Sequence, residues 1–145
     1  MRQKTTRSAT RRRLLAGVAV LVAGGAMSGA ALAASSYSVK VSAFPTNVSQ
    51  PTFKAKVTGT ARSSSQVTAF VGSINKACAA NAKLEAAQPA RRVINKTVSG
   101  NYAATKTAKP GSVGTHHLCA YLTSTNGSTT RAHSSMKYNV LAGAY

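Results

Sequence analysis

The sequence predicts an all-β protein, an antiparallel β-sandwich of about seven short strands with one short helical insertion and one disulfide. Three observations support this prediction. Several segments alternate apolar and polar residues, as half-buried strands do. Turn-forming residues recur about every 8 to 12 positions. One β-prone segment, Gly114 to Ser124, has apolar residues on both alternating faces, which indicates a central strand covered on both sides.

The first 33 residues are predicted to be a secretory signal peptide rather than part of the fold. Residues 1–13 hold six basic residues and no acid, residues 14–23 are apolar, and Ala31-Leu32-Ala33 offers small residues where a signal peptidase cleaves. Thr10 to Leu15 also resembles a twin-arginine export signal. The general and the twin-arginine export routes therefore both stay open.

The mature domain is expected to carry a large positive charge. Cleavage after Ala33 leaves residues 34–145, which is one domain by length and has no membrane span. Of the 19 lysines and arginines, six precede the cleavage site, so 13 remain against Glu85 alone, a net charge of 13 minus 1, or +12. Such a surface attracts polyanions. The alternative is that the charge only keeps a secreted protein soluble.

Three alternating segments open the mature chain, and each predicts a half-buried strand. They are Tyr37 to Ala43, Phe53 to Gly59 and Gln66 to Gly72. Prolines separate the first two segments, and the run Ser63 to Ser65 predicts a turn between the second and the third. The alternation in the second segment places Lys54 and Lys56 on the solvent face.

The segment that follows changes character. Asn75 to Ala87 is rich in alanine and contains Cys78, so it predicts a short helix or helical loop. Arg92 to Val98 and Asn101 to Lys106 predict a hairpin, with Ser99-Gly100 between them. A Lys-Pro-Gly turn then leads into the central strand, and the last predicted strand is Thr129 to Val140.

The last hairpin can take two registers. A two-residue turn at Asn126-Gly127 places Leu118 and Leu122 beside basic residues of the last strand. A three-residue loop with a bulge places both leucines in the core instead. We favour the second register, because two exposed leucines would forfeit about 1.5 to 3 kcal/mol each. Cys119 then faces outward, under the Cys78 to Ala87 segment.

The two cysteines, Cys78 and Cys119, are predicted to form a structural disulfide. An even pair in an exported protein favours oxidation, and no Cys-x-x-Cys spacing indicates redox chemistry. The bond would close a ring of about 42 residues, for which chain entropy gives roughly 4 kcal/mol of stabilisation.

The strand pattern indicates an immunoglobulin-like Greek key. Four short motifs, Cys78-Ala79, Glu85, Val98-Ser99-Gly100 and Leu118 to Leu122, resemble the secreted immunoglobulin-like β-sandwich domains of actinobacterial type. The resemblance implies this fold and an exported location, and it brings no catalytic residues with it. The chain departs from antibody domains, because it has no tryptophan and its first cysteine follows the third predicted strand.

The composition argues against catalysis and metal binding. Glu85 is the only carboxylate side chain, so neither a paired-carboxylate site, a Ser-His-Asp site nor a strong calcium site can be built. We expect Glu85 to pair at the surface with Lys83 or with Arg91-Arg92. His116 and His117 are neighbours on a strand and point to opposite faces, and the two-residue turn places His133 opposite Ala120. We therefore expect no catalytic residues, no metal and no cofactor.

We expect a non-enzymatic, exported module at the cell envelope or outside the cell, with non-specific affinity for polyanions such as an anionic envelope polymer. The candidate contacts are Lys40, Lys54, Lys56, Arg131 and Lys137. No aromatic residues are interleaved with the basic ones, so specific nucleic-acid recognition is not expected. A second hypothesis is a structural or adhesive subunit whose edge strands pair with a partner.

Overall fold

Six strands and one helix make up the fold in the computed structural model, which describes residues 36–143. The strands are β1 (Ser38–Phe44), β2 (Asn47–Val48), β3 (Phe53–Val71), β4 (Arg91–Ala108), β5 (Gly114–Ser124) and β6 (Thr130–Val140), and the helix is α1 (Ala82–Ala86). The predicted signal peptide lies outside the described residues. Within the described part of the chain, no helix is long and apolar enough to cross a membrane.

The two long strands, β3 and β4, pair antiparallel and pass together from one layer of the sandwich into the other. Residues 53–61 of β3 lie between β1 and β4, whereas residues 65–71 lie between β4 and β5. β6 extends the second layer beside β5, and β2 pairs parallel with β6. The result is an immunoglobulin-like antiparallel β-sandwich of six strands.

The two layers also approach each other at a second place, between β1 and β6. The Val41 main-chain N–H donates a hydrogen bond to Ser134 Oγ at 3.4 Å. The sandwich is therefore close to a barrel, because its first strand meets the far side of the second layer.

The structure joins four of the predicted strands into two continuous strands. The pair Phe53 to Gly59 and Gln66 to Gly72 belongs to β3, and the pair Arg92 to Val98 and Asn101 to Lys106 belongs to β4. The predicted turn at Ser63 to Ser65 and the predicted hairpin are therefore wrong. The turn residues do change the direction of the chain, but they do so inside paired strands.

A bulge in β3 takes the place of those turns. Ala61 pairs with Gly100 and Ser65 pairs with Val98, so residues 62–64 lie opposite a single residue of β4. Extra residues on one strand bend and twist the pair. Gly100 adopts φ 62°, a left-handed conformation that glycine accepts without steric cost. Both strands therefore bend at the same level, where they change layers.

The core lies between the layers and confirms the bulged register of the last hairpin. Leu118 and Leu122 are fully buried in it. The register between β5 and β6 shifts after Leu122, which pairs with Ala132, so the bulge falls at Arg131. Ser124 and Thr129 are hydrogen-bonded across the turn, which makes the loop four residues long, residues 125–128, rather than three.

The free edge of β4 carries two lysines on its inward side. Lys96 lies opposite Val67 and Lys106 lies opposite Ala55, whose side chains are both in the core. Both lysines are nevertheless exposed, because β4 is the last strand of its layer in the described residues. A charge on the inward side of an edge strand opposes the addition of a further strand, since pairing would desolvate it. The two lysines therefore disfavour the addition of a partner strand at this edge.

Candidate anion-binding surfaces

Three of the five predicted contact residues share one surface, which we call the lysine face: Lys40, Lys54 and Lys56. They lie on the outer side of the layer formed by β1, residues 53–61 of β3 and the second half of β4, and all three are exposed. Lys54 and Lys56 are two residues apart on one strand, about 6.8 Å at the usual rise. Because Ser42 pairs with Lys56, Lys40 is its diagonal neighbour, about 7 to 8 Å away.

Small hydroxyl residues surround these lysines. The register places them on the same side of the layer, and they are Ser38, Ser42, Thr58, Thr60, Thr105 and Thr107. Hydroxyl groups donate to anionic oxygens as readily as they accept. Phe44, opposite Lys54, is 61% exposed and makes one end of the face apolar. The sequence alone did not reveal the threonines of β4 as neighbours, because that requires the register.

The other two predicted contacts, Arg131 and Lys137, lie elsewhere. Arg131 Nη1 donates to Ser63 Oγ at 3.0 Å, to the Ser64 carbonyl oxygen at 3.1 Å and to Ser65 Oγ at 2.5 Å. Its guanidinium also lies 4.6 Å from the centre of the Tyr37 ring, a cation–π contact. Arg131 therefore holds the β3 bulge in place.

Lys137 is exposed on β6, opposite His117. His117 and Cys119 lie on the same side of β5, and that side belongs to the outer surface of the second layer. Lys137 is consequently not part of the lysine face. The structure brings together three of the five predicted contacts and separates the other two from them.

The predicted disulfide between Cys78 and Cys119 is present, with the two Cα atoms 5.7 Å apart. Cys119 faces outward from β5, as expected, and forms a small apolar cluster with Phe70 and Tyr121. Cys78 packs against this cluster from the segment that leads into α1. The disulfide therefore holds that segment on the outer surface of the second layer.

Glu85 does not form the predicted surface ion pair with Lys83 or the arginines. It is only 1% exposed, and its Oε2 accepts hydrogen bonds from the Ala79 main-chain N–H at 2.6 Å and from Tyr121 Oη at 3.1 Å. Its neighbour Leu84 is 52% exposed instead. The helix thus presents a carboxylate to the protein and a leucine to solvent. The prediction is wrong because the carboxylate points inward, where the Ala79 N–H and the Tyr121 hydroxyl bind it.

The buried tyrosines predict an alkaline instability. Burial, followed by the charge and hydrogen bond of Glu85, raises the pKa of Tyr121 well above its usual value, and burial raises the pKa of Tyr138 to about 12. The folded protein therefore keeps protons that the unfolded chain releases above about pH 10, so stability falls as the pH rises from there. We expect the phenolate absorbance of a pH titration to rise in two phases, the later one coinciding with loss of the near-ultraviolet circular dichroism. A single phase near pH 10 in the folded protein would contradict this.

The three histidines lie in different environments. His116 and His117 point to opposite sides of β5, as predicted, and His116 is buried, with Nδ1 2.9 Å from the Gly72 carbonyl oxygen. His133 lies opposite Tyr121 rather than opposite Ala120, because the bulge shifts the register by one residue. No three His, Cys, Asp or Glu residues among those described come together as a metal site.

Comparisons with known proteins show a similarity of fold to solved structures. No protein-family model matches the chain, and no curated protein matches it. Among solved structures, the chain is similar to the crystal structure of a CARDB domain from a Pyrococcus furiosus protein in complex with di-metal ions. The TM-score is 0.44 and the sequence identity 12%, over 73% of this chain and 86% of that chain. At this level of similarity neither residue roles nor metal sites are transferred.

Proposed function

We propose that this protein is an exported, non-enzymatic module that binds polyanions non-specifically through the lysine face, at the cell envelope or outside the cell. One observation carries the proposal: Lys40, Lys54 and Lys56 share an exposed sheet surface edged with hydroxyl groups. The only acidic side chain, Glu85, is buried and hydrogen-bonded on the other layer. An anionic polymer that approaches the lysine face therefore meets attraction without local repulsion.

The exported location rests on two observations from different parts of the chain. The first 33 residues read as a signal peptide. The Cys78–Cys119 bond is of the kind that persists in oxidising compartments. The resemblance to secreted domains of actinobacterial type agrees with both.

The alternative function, edge-strand pairing with a partner, has less support. The longest edge in the described residues belongs to β4, and Lys96 and Lys106 lie on its inward side. A partner strand would have to bury or displace both ammonium groups. We therefore place binding on a sheet surface rather than on a sheet edge.

The test is the salt dependence of binding to a fluorescently labelled DNA duplex and to a purified anionic wall polymer. Affinity should fall steeply between about 50 and 200 mM salt, as release of counterions requires. The triple variant Lys40→Gln/Lys54→Gln/Lys56→Gln should reduce the slope of log K against log salt by up to about 2.7, at about 0.9 for each lost phosphate contact.

The control for this experiment is Lys76→Gln/Lys109→Gln/Lys137→Gln, which removes the same charge from exposed positions outside the lysine face. It should retain most of the slope. Equal losses in the two triple variants would show that total charge alone binds the polymer. Absence of binding to either polyanion at low salt would show that the charge serves solubility.

A further inference from the structure

A groove of about 490 Å³ lies on the opposite layer from the lysine face. We call it the α1 groove. Helix α1 forms one wall, the outer sides of β3 and β5 form the floor, and the turn between β5 and β6 closes one end. The volume lies within the range of roughly 300 to 1,000 Å³ that small-ligand sites occupy. The disulfide and the Glu85 hydrogen bonds fix the helical wall against the floor.

Two cationic side chains line this groove from different elements. Lys83 comes from α1 and Arg92 from β4, and both are exposed. The carboxylate of Glu85, which follows Lys83 by two residues, is buried and accepts hydrogen bonds from Ala79 and Tyr121. The groove therefore combines two positive charges with no exposed acid. An arginine guanidinium can hold a carboxylate with two parallel hydrogen bonds.

Neutral polar groups line the floor. Gln66 and Thr68 lie on adjacent outward positions of β3, and the Gln66 amide is oriented by a hydrogen bond of 2.7 Å to Asn95 Oδ1. Phe70 lies beyond them but is only 3% exposed, and its ring packs edge-on against Tyr121 at 6.1 Å between centroids, so it supports the floor from beneath. Ser128 lines the closed end. Amides and hydroxyls donate to and accept from sugar hydroxyl groups, so this floor suits a ligand that carries several of them.

We propose that the α1 groove binds an acidic saccharide, a unit that carries a carboxylate on a hydroxyl-bearing ring. The carboxylate lies between Lys83 and Arg92, and the ring hydroxyls face Gln66 and Thr68. A simple inorganic anion would use the two cations and leave the neutral floor without a role. A neutral sugar would use the floor and leave the cations without a role. The acidic saccharide uses both sets of groups.

The test is a titration of the disulfide-bonded protein with digalacturonate, followed by calorimetry and by amide chemical shifts. We expect saturable binding, with the largest shifts at Gln66, Thr68 and Ser128. Lys83→Gln/Arg92→Gln should weaken binding by about tenfold or more, equivalent to about 1.4 kcal/mol. The matched control Lys54→Gln/Lys56→Gln removes the same charge from the lysine face and should change affinity by no more than about twofold.

Two further probes separate the parts of the proposal. The uncharged methyl ester of digalacturonate tests the carboxylate, and adipate, a dicarboxylate without a sugar ring, tests the saccharide. Both should bind at least about tenfold more weakly than digalacturonate. Equal binding of either probe, equal losses in the two double variants, or no saturable binding would overturn the proposal. None of these results bears on the salt-dependent binding of polymers to the lysine face, so the two proposals can fail separately.

Discussion

Replacing both Cys78 and Cys119 with alanine is expected to lower the free energy of unfolding by up to about 4 kcal/mol without changing the fold. The disulfide closes a long ring, because the two cysteines are separated by 41 residues. Removing the disulfide increases the conformational entropy of the unfolded chain, and this increase is the main cause of the lost stability. The main core, with Leu118 and Leu122 at its centre, does not include the disulfide and should keep the two layers together.

Denaturant unfolding of the double variant, monitored by far-ultraviolet circular dichroism, measures this loss. The oxidised and reduced forms of the unchanged protein provide the control, since they differ by the disulfide alone and should show a similar difference. A loss below about 1 kcal/mol would mean that strain in the folded state offsets nearly all of the entropic gain. Loss of the β-sheet spectrum in native buffer would mean that the core alone does not specify the fold.

Alternation in the sequence predicted correctly which side chains face the core. Lys54 and Lys56 are exposed on β3, whereas Ala55 and Val57 between them are buried. This prediction succeeds because successive residues of a strand point to opposite sides whatever strand lies beside it. The same rule separated His116 from His117. Local periodicity therefore determines the faces of the strands before any partner is known.

Bends inside paired strands could not be predicted in the same way. Ser63 to Ser65 and Ser99-Gly100 each have the composition of a turn, and each predicts a turn of its own. In the structure these two segments lie at the same level of neighbouring strands, so together they make one bend. Local composition does not distinguish a turn from a bulge. The difference depends on how the segment pairs with a neighbouring strand, and here the paired residues are more than 30 positions apart in the sequence.

The candidate sites show the same division between local and long-range information. Lysine spacing on β3 predicted part of the lysine face, but the contribution of Lys40 depends on its pairing with Thr58. The sequence predicts Arg131 as an equivalent contact, but its guanidinium donates to the serines of the β3 bulge. No local pattern in the sequence predicts the α1 groove, because it is assembled from α1, β3, β4, β5 and the β5–β6 turn. Sites of this kind can be located only when the pairing of the strands is known.

Replacing Glu85 with alanine is expected to lower the free energy of unfolding by up to about 3 kcal/mol. The change removes the acceptor of the Ala79 N–H, and a donor left without a partner costs about 1 to 3 kcal/mol. Tyr121 Oη loses one acceptor but keeps the Ala79 carbonyl oxygen at 2.7 Å. Glu85→Gln keeps an acceptor oxygen but loses the negative charge. Hydrogen bonds to a charged acceptor are roughly twice as strong as those to a neutral one. We therefore expect Glu85→Gln to cost less than Glu85→Ala.

Leu84→Ala is the matched control, since it truncates the next side chain of the same helix at a site that is 52% exposed. Its effect should stay near 0.5 kcal/mol, roughly the limit for surface substitutions. A double-mutant cycle of Glu85→Gln with Tyr121→Phe should give a coupling energy of about 0.5 to 3 kcal/mol, because the two side chains share a hydrogen bond. Equal effects of Glu85→Ala and Leu84→Ala, or a coupling energy of zero, would show that this carboxylate does not hold the α1 segment on the sheet.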